Sequence, residues 1–110
     1  MSYSIELTAR FKRDFKYISR KYKSLQKDVD WLADTLQTDP VQGEPLGKDC
    51  YKIRIKITSK GKGKSGGGRV ITCVKIMKEI IYLLLIYDKS DKESISDKEL
   101  DAVLKEAGLL

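Results

Sequence analysis

Between Tyr51 and Ile57 the chain alternates without exception, with Tyr51, Ile53, Ile55 and Ile57 on one side and Lys52, Arg54 and Lys56 on the other. Successive side chains of a β-strand point to opposite faces, so the pattern predicts a strand with one apolar face and one face of three cations. Those cations stand roughly 6.6 Å apart along the strand. A hydrophobic core does not accommodate three such charges in a row, whereas a polyanion laid across the sheet matches them. Beyond them Lys60, Lys62 and Lys64 punctuate a Gly/Ser-rich loop from Ser59 to Gly68, and Arg69 opens the next apolar run. Lysines on such a segment neutralise phosphates without reading bases, so Lys56, Lys60, Lys62 and Lys64 are expected to contact RNA or a ribosome surface.

The residue types that are missing narrow the chemistry. The chain has no histidine, which excludes every His-dependent triad or dyad. Metal-assisted phosphoryl transfer draws on clustered carboxylates, and the basic segment offers only Asp49. Two cysteines without histidine do not make a zinc site. No metal and no cofactor are therefore expected. A Walker-type phosphate loop fails as well: it requires glycine five residues before Gly63-Lys64-Ser65, where Thr58 stands, and a helix afterwards, where a strand is predicted.

A nuclease built on this strand is left with cations and with the nucleophile that RNA itself carries, the 2′-OH. Crowding Lys52, Arg54, Lys56 and Arg69 on one face disfavours the charged form of a lysine, which makes Lys52 the candidate general base. A guanidinium stays charged and suits the phosphate, so Arg54 and Arg69 are the candidate clamps.

The charge distribution agrees. Residues 48–78 hold ten Lys or Arg against one acid, residues 1–47 eight against seven, and residues 88–110 four against seven. The net charge of +6 therefore sits in the middle of the chain, as a nucleic-acid footprint does. One hundred and ten residues suffice for one domain, 1–110, with one hydrophobic core. The longest apolar run, Ile80 to Tyr87, is far short of a membrane span, and the N-terminus lacks the apolar run of a secretion signal. A cytoplasmic protein is expected, with Cys50 and Cys73 as reduced thiols.

The elements that must position these residues are also readable. A short strand is predicted around Tyr3–Leu7, with Thr8 as N-cap of a helix whose face is Phe11, Phe15, Ile18 and Tyr22. After a break at Lys21–Ser24, with Ser24 as cap, a second helix carries Leu25, Val29, Leu32 and Leu36 and ends at Asp39-Pro40. The two form an antiparallel helical hairpin. Val41–Asp49 reads as a loop, and Cys50–Thr58, Arg69–Lys75 and Ile80–Tyr87 as an antiparallel meander, the last strand inside the sheet. A final helix begins with Ser96 as cap and stops at Gly108. The fold class is thus α+β: a small antiparallel sheet packed against an N-terminal helical hairpin, with a C-terminal helix.

The element order, together with Cys50-Tyr51-Lys52-Ile53-Arg54, Gly68-Arg69-Val70 and Ile86-Tyr87-Asp88-Lys89, resembles the RelE/ParE superfamily of toxin–antitoxin toxins, and the long Lys-Gly loop resembles its HigB-like branch. That resemblance implies a ribosome-dependent mRNA endonuclease acting in the A site of the 70S ribosome. It also implies an inactivating antitoxin partner in a hetero-oligomer, with the toxin alone monomeric and no membrane involved. Position by position it places catalytic roles on Lys52, Arg54 and Arg69 and a later basic role on Lys89, with Lys92 as the alternative. RelE-type toxins also carry a base-stacking tyrosine near the C-terminus. This chain has Ile95 there, and Tyr87 is the aromatic that can substitute. The other readings that the resemblance leaves open are a ParE-like inhibitor of DNA gyrase, whose branch lacks the basic cluster, and an inactive antitoxin-binding relative.

Overall fold

The computed structural model describes residues 2–61 and 66–110. Strand β1, Ser4–Leu7, leads directly into helix α1, Ala9–Ser19. Thr8 sits between them in extended geometry and its Oγ1 accepts from Phe11 N at 3.1 Å, which satisfies one of the orphan donors of the first turn. The same hydroxyl donates to Leu84 O at 2.9 Å, so the cap also pins the helix start to the sheet. Helix α2, Leu25–Thr38, buries Leu25, Val29, Leu32 and Leu36, the predicted stripe. Leu36 is fully buried, and truncating it to alanine costs about 2–5 kcal/mol. Ser24 corrects one expectation. It precedes α2 with helical dihedrals and makes no side-chain cap; its hydroxyl donates instead to Asp28 Oδ2 at 2.7 Å.

The sheet has five strands, in the spatial order β1, β5 (Ile80–Asp88), β4 (Gly68–Lys75), β3 (Cys50–Ile55) and β2 (Glu44–Gly47). Strands β3 (Cys50–Ile55), β4 (Gly68–Lys75) and β5 (Ile80–Asp88) form the expected antiparallel meander. β1 pairs with β5 in parallel, so the sheet is mixed. The outer strand β2, Glu44–Gly47, lies within the segment that reads as a loop, and it carries Pro45, which an edge strand tolerates. β5 is flanked by β1 and β4, which explains its lack of polar alternation.

Both faces of the sheet are covered. One face packs Ile53, Ile55, Ile57, Val70, Val74, Ile81, Leu83 and Ile86 against the helical hairpin. On the other face Cys50, Ile71, Cys73, Leu84, Leu85 and Tyr87 lie under helix α3, Asp97–Glu106, through Leu100, Val103 and Leu104. The register shifts between Ile71/Thr72, where Ile71 pairs with Leu85 and Thr72 with Leu83, so Leu84 is the extra residue of a bulge. The bulge lets consecutive Leu84 and Leu85 join the same cluster. α3 begins with the predicted Ser96, in a full capping box with Glu99, and Gly108 follows it at φ +74. The cation-bearing face of the sheet is therefore only half open, with α3 covering the rest. No helix among the described residues is long and apolar enough to cross a membrane.

Candidate nucleic-acid interface

The open half of that face is built by register. Arg54 pairs directly with Arg69 across β3 and β4, and Arg69 in turn pairs with Tyr87 on β5. Lys52 lies two residues before Arg54 on the same face, opposite Glu44 of β2. Two glycines make the close approaches possible. Gly43 has φ +92, and a Cβ there would lie 2.2 Å from Lys52 O, so only glycine lets the chain entering β2 pass over β3. At Gly67 a Cβ would lie 2.2 Å from Ile55 O, which fixes how closely the chain returns before Arg69.

The result is a cleft of about 430 Å³ whose lining includes Lys52, Arg54, Arg69 and Lys89. Four cations against the two carboxylates of the lining, Glu44 and Glu93, leave an excess of two positive charges. Lys52 Nζ stands 3.8 Å from Glu44 Oε1, a loose pair whose acid is largely in solvent. Arg69 is only 4% exposed and its Nη1 donates to Gly68 O at 2.9 Å, which orients the guanidinium at the cleft floor. Arg54 is exposed at the wall. Lys89 follows β5, and its N–H donates to Gly67 O at 3.0 Å, tying the fourth cation to the same returning segment. The arrangement can grip a phosphodiester from several sides at once.

Other expected contacts fall elsewhere. Lys56 lines a neighbouring cleft of about 480 Å³, which shares Arg54 and Trp31 with the first. Lys60 is not a loop cation facing solvent. Its Nζ lies 2.5 Å from Asp88 Oδ1, with the two side chains 8% and 1% exposed. Asp88 also accepts from Tyr22 Oη at 2.9 Å and from Ser90 N at 2.9 Å. Burial alone would raise the Asp88 carboxyl, but Lys60 and those other donors outweigh it and hold the group below the usual carboxylate range. Lys60 is thus a structural partner of Asp88, because two buried charges must be matched. Lys62 and Lys64 lie outside the described residues.

Tyr87 and Lys92 lie outside the lining of the cation cleft. Tyr87 is 7% exposed, its hydroxyl is buried without a hydrogen-bond partner, and burial pushes its pKa up. A ring so placed supports Arg69 from the next strand and offers no face to a base. Lys92 stands 6.0 Å over the Tyr87 ring and pairs with Glu99 at the start of α3. Its ammonium holds the Glu99 carboxyl below the usual range and fastens the helix; it does not line the cation cleft. Trp31, Glu44 and Glu93 are lining residues that the strand pattern could not supply, since they come from α2, β2 and the segment before α3. The one signal for Trp31 is that it stands off the apolar stripe of its helix.

A mixed five-stranded sheet with a helical pair on one face, a helix on the other and a cationic cleft beside it defines a small α+β domain with a basic site. The sequence profile of the family described as "RelE toxin of RelE / RelB toxin-antitoxin system" matches residues 8–110, and the chain belongs to that family. Solved structures agree on the fold. A double arginine-to-alanine mutant of the E. coli toxin RelE in the free state is 18% identical, with a TM-score of 0.59, over 98% of this chain and 96% of that one. The toxin–antitoxin complex RelBE2 from Mycobacterium tuberculosis matches at 16% identity and TM-score 0.60, over 80% of this chain and 99% of the other. The intact E. coli RelBE toxin–antitoxin complex matches at 16% and 0.59, over 79% and 96%.

Proposed function

We propose that the chain is the toxin of a toxin–antitoxin pair and that it cuts mRNA in the ribosomal A site. The observation that carries this reading is the convergence of Lys52, Arg54, Arg69 and Lys89 on one cleft. In that cleft the exposed Arg54 binds the non-bridging oxygens of the scissile phosphate, and Arg69 at the floor adds positive charge that stabilises the charge developing there. The 2′-oxygen of the preceding ribose attacks phosphorus, the bond to the 5′-oxygen breaks, and the products are a 2′,3′-cyclic phosphate and a 5′-hydroxyl. Guanidinium groups do not exchange protons at neutral pH, so the lysines carry the transfers: Lys52 accepts from the 2′-OH and Lys89 donates to the leaving 5′-oxygen. Positioning by the ribosome supplies the in-line geometry that a shallow open cleft does not impose by itself.

An antitoxin segment with acidic and apolar side chains is the partner that complements the cleft, folding as it covers it. The free toxin is a monomer acting in the cytoplasm, where its messenger and ribosomes are. The test is cleavage of mRNA on programmed 70S ribosomes by the purified protein, with mapping of 5′ ends and analysis of their chemistry. Codon-phased cuts with 5′-hydroxyl ends, lost in Arg69→Ala with an unchanged circular dichroism spectrum, support the reading. Intact message at full toxin occupancy overturns it.

A further inference from the structure

Helix α2 directs Leu25, Val29, Leu32 and Leu36 into the core, and Trp31 falls off that stripe and is 61% exposed. The indole is thus a large aromatic surface on the outer side of its helix. Its position is specific: Trp31 lines both the cation cleft and the neighbouring one, and so does Arg54. The neighbouring cleft adds Lys56, Thr58 and Asp28. Asp28 is fully engaged there, accepting from Thr58 N at 2.9 Å, Thr58 Oγ1 at 2.6 Å and Ser24 Oγ at 2.7 Å. Those bonds fasten the chain leaving β3 to α2, so the wall beside Trp31 is rigid and its acceptors are used up. The exposed indole lines this cleft together with Arg54 and Lys56, the combination that binds single-stranded nucleic acid by stacking and backbone charge.

We propose that Trp31 is a stacking platform for an unpaired RNA base next to the phosphate held by Arg54 above Arg69, with Lys56 on the following phosphate. This extends the RNA-cleaving reading given above and rests on it. Stacking on an indole tolerates any base, so the contact contributes affinity and register without selecting sequence.

Trp31 is the single tryptophan of the chain, so intrinsic emission reports on it directly. A fully 2′-O-methylated trinucleotide, which cannot be cut, is expected to quench that emission saturably. On programmed ribosomes Trp31→Ala is expected to slow cleavage about 5- to 150-fold, the worth of one stacked base, while Trp31→Phe stays near wild type. The melting curve of Trp31→Ala should match wild type, and the salt dependence of ribosome binding should keep its slope. Arg54→Ala, by contrast, should lower that slope by about one. Absence of quenching, or wild-type cleavage by Trp31→Ala where Arg69→Ala is dead, overturns the stacking role and leaves the nuclease reading standing. A Trp31→Ala protein that cuts normally but no longer binds its antitoxin overturns it too, in favour of a protein partner. Failure of the wild-type protein to cut programmed mRNA overturns the nuclease reading itself.

Discussion

Arg54 and Arg69 face one another as direct cross-strand partners on β3 and β4. Like charges in that relationship destabilise a sheet, and a fold selected for stability alone does not keep them there. In the RNA-cleaving reading proposed above, the pair is kept for its grip on phosphate. Replacing Arg54, the exposed member, with alanine should therefore stabilise the free protein by about 0.2–1 kcal/mol while reducing cleavage by about 100-fold or more. Urea unfolding at low and high salt checks the first part, since the gain must shrink as salt screens the repulsion. Equal losses of stability and activity would point to a packing role for Arg54.

The buried Asp88–Lys60 pair behaves in the opposite way. Asp88→Asn leaves the Lys60 ammonium without its counter-charge in a site that is 8% exposed, and is expected to cost about 3–5 kcal/mol. Tyr22→Phe, which removes one donor to the same carboxylate, should cost less, about 1.5–3 kcal/mol. Chemical denaturation of both variants orders them.

Acid should reveal the same carboxylate. Its folded pKa is depressed, so near that range the unfolded chain binds the proton more readily and stability rises with pH. The contribution of Asp88 is fully present above the ordinary carboxylate value of about 3.9 and disappears as pH falls through the lower folded value. Unfolding free energy followed from neutral pH down to about pH 2 should fall less steeply in Asp88→Asn than in wild type. Parallel curves for the two proteins would remove Asp88 from the account.

Gly43→Ala should damage the cleft from outside it. The substitution asks for a Cβ at φ +92 and 2.2 Å from Lys52 O, so β2 must move away from β3 and take Glu44 with it. Cleavage is expected to fall together with amide protection in β2, while α1 and α3 keep theirs. Hydrogen exchange read by element decides this.

Lys92, fixed between Glu99 and the Tyr87 ring, should not matter to RNA. Lys92→Gln is expected to cleave at the wild-type rate and to loosen the first turn of α3, visible as faster amide exchange at Glu99. A large loss of cleavage with α3 intact would return Lys92 to the site.

Most of the fold is legible from periodicity, because Phe11/Ile18, Leu25/Val29/Leu32/Leu36 and the alternation of β3 each bury one face in the way their spacing demands. β2 escapes because Glu44-Pro-Leu-Gly has the composition of a turn, and only its position at the sheet edge makes it a strand. The four cleft cations are legible for a related reason: three lie on paired strands whose register fixes which side chains share a face. Lys60 and Tyr87 are not. Whether a lysine after a strand meets solvent or Asp88, and whether a terminal tyrosine is capped by a helix, depends on segments distant in sequence. Trp31 is hidden from strand reasoning altogether, since its place in the cleft comes from how α2 crosses β3.

The order in which the cleft is assembled has a consequence for the cell that makes it. Lys52 and Arg54 emerge from the synthesising ribosome well before Arg69. Lys89 comes only after β5, as does the Asp88 carboxylate that draws Tyr22 and Lys60 together. A nascent chain halted anywhere before that point has neither its fourth cation nor the carboxylate that ties Lys60 to Tyr22. A chain stalled before β5 therefore carries no complete cleft and, in the RNA-cleaving reading proposed above, is inert.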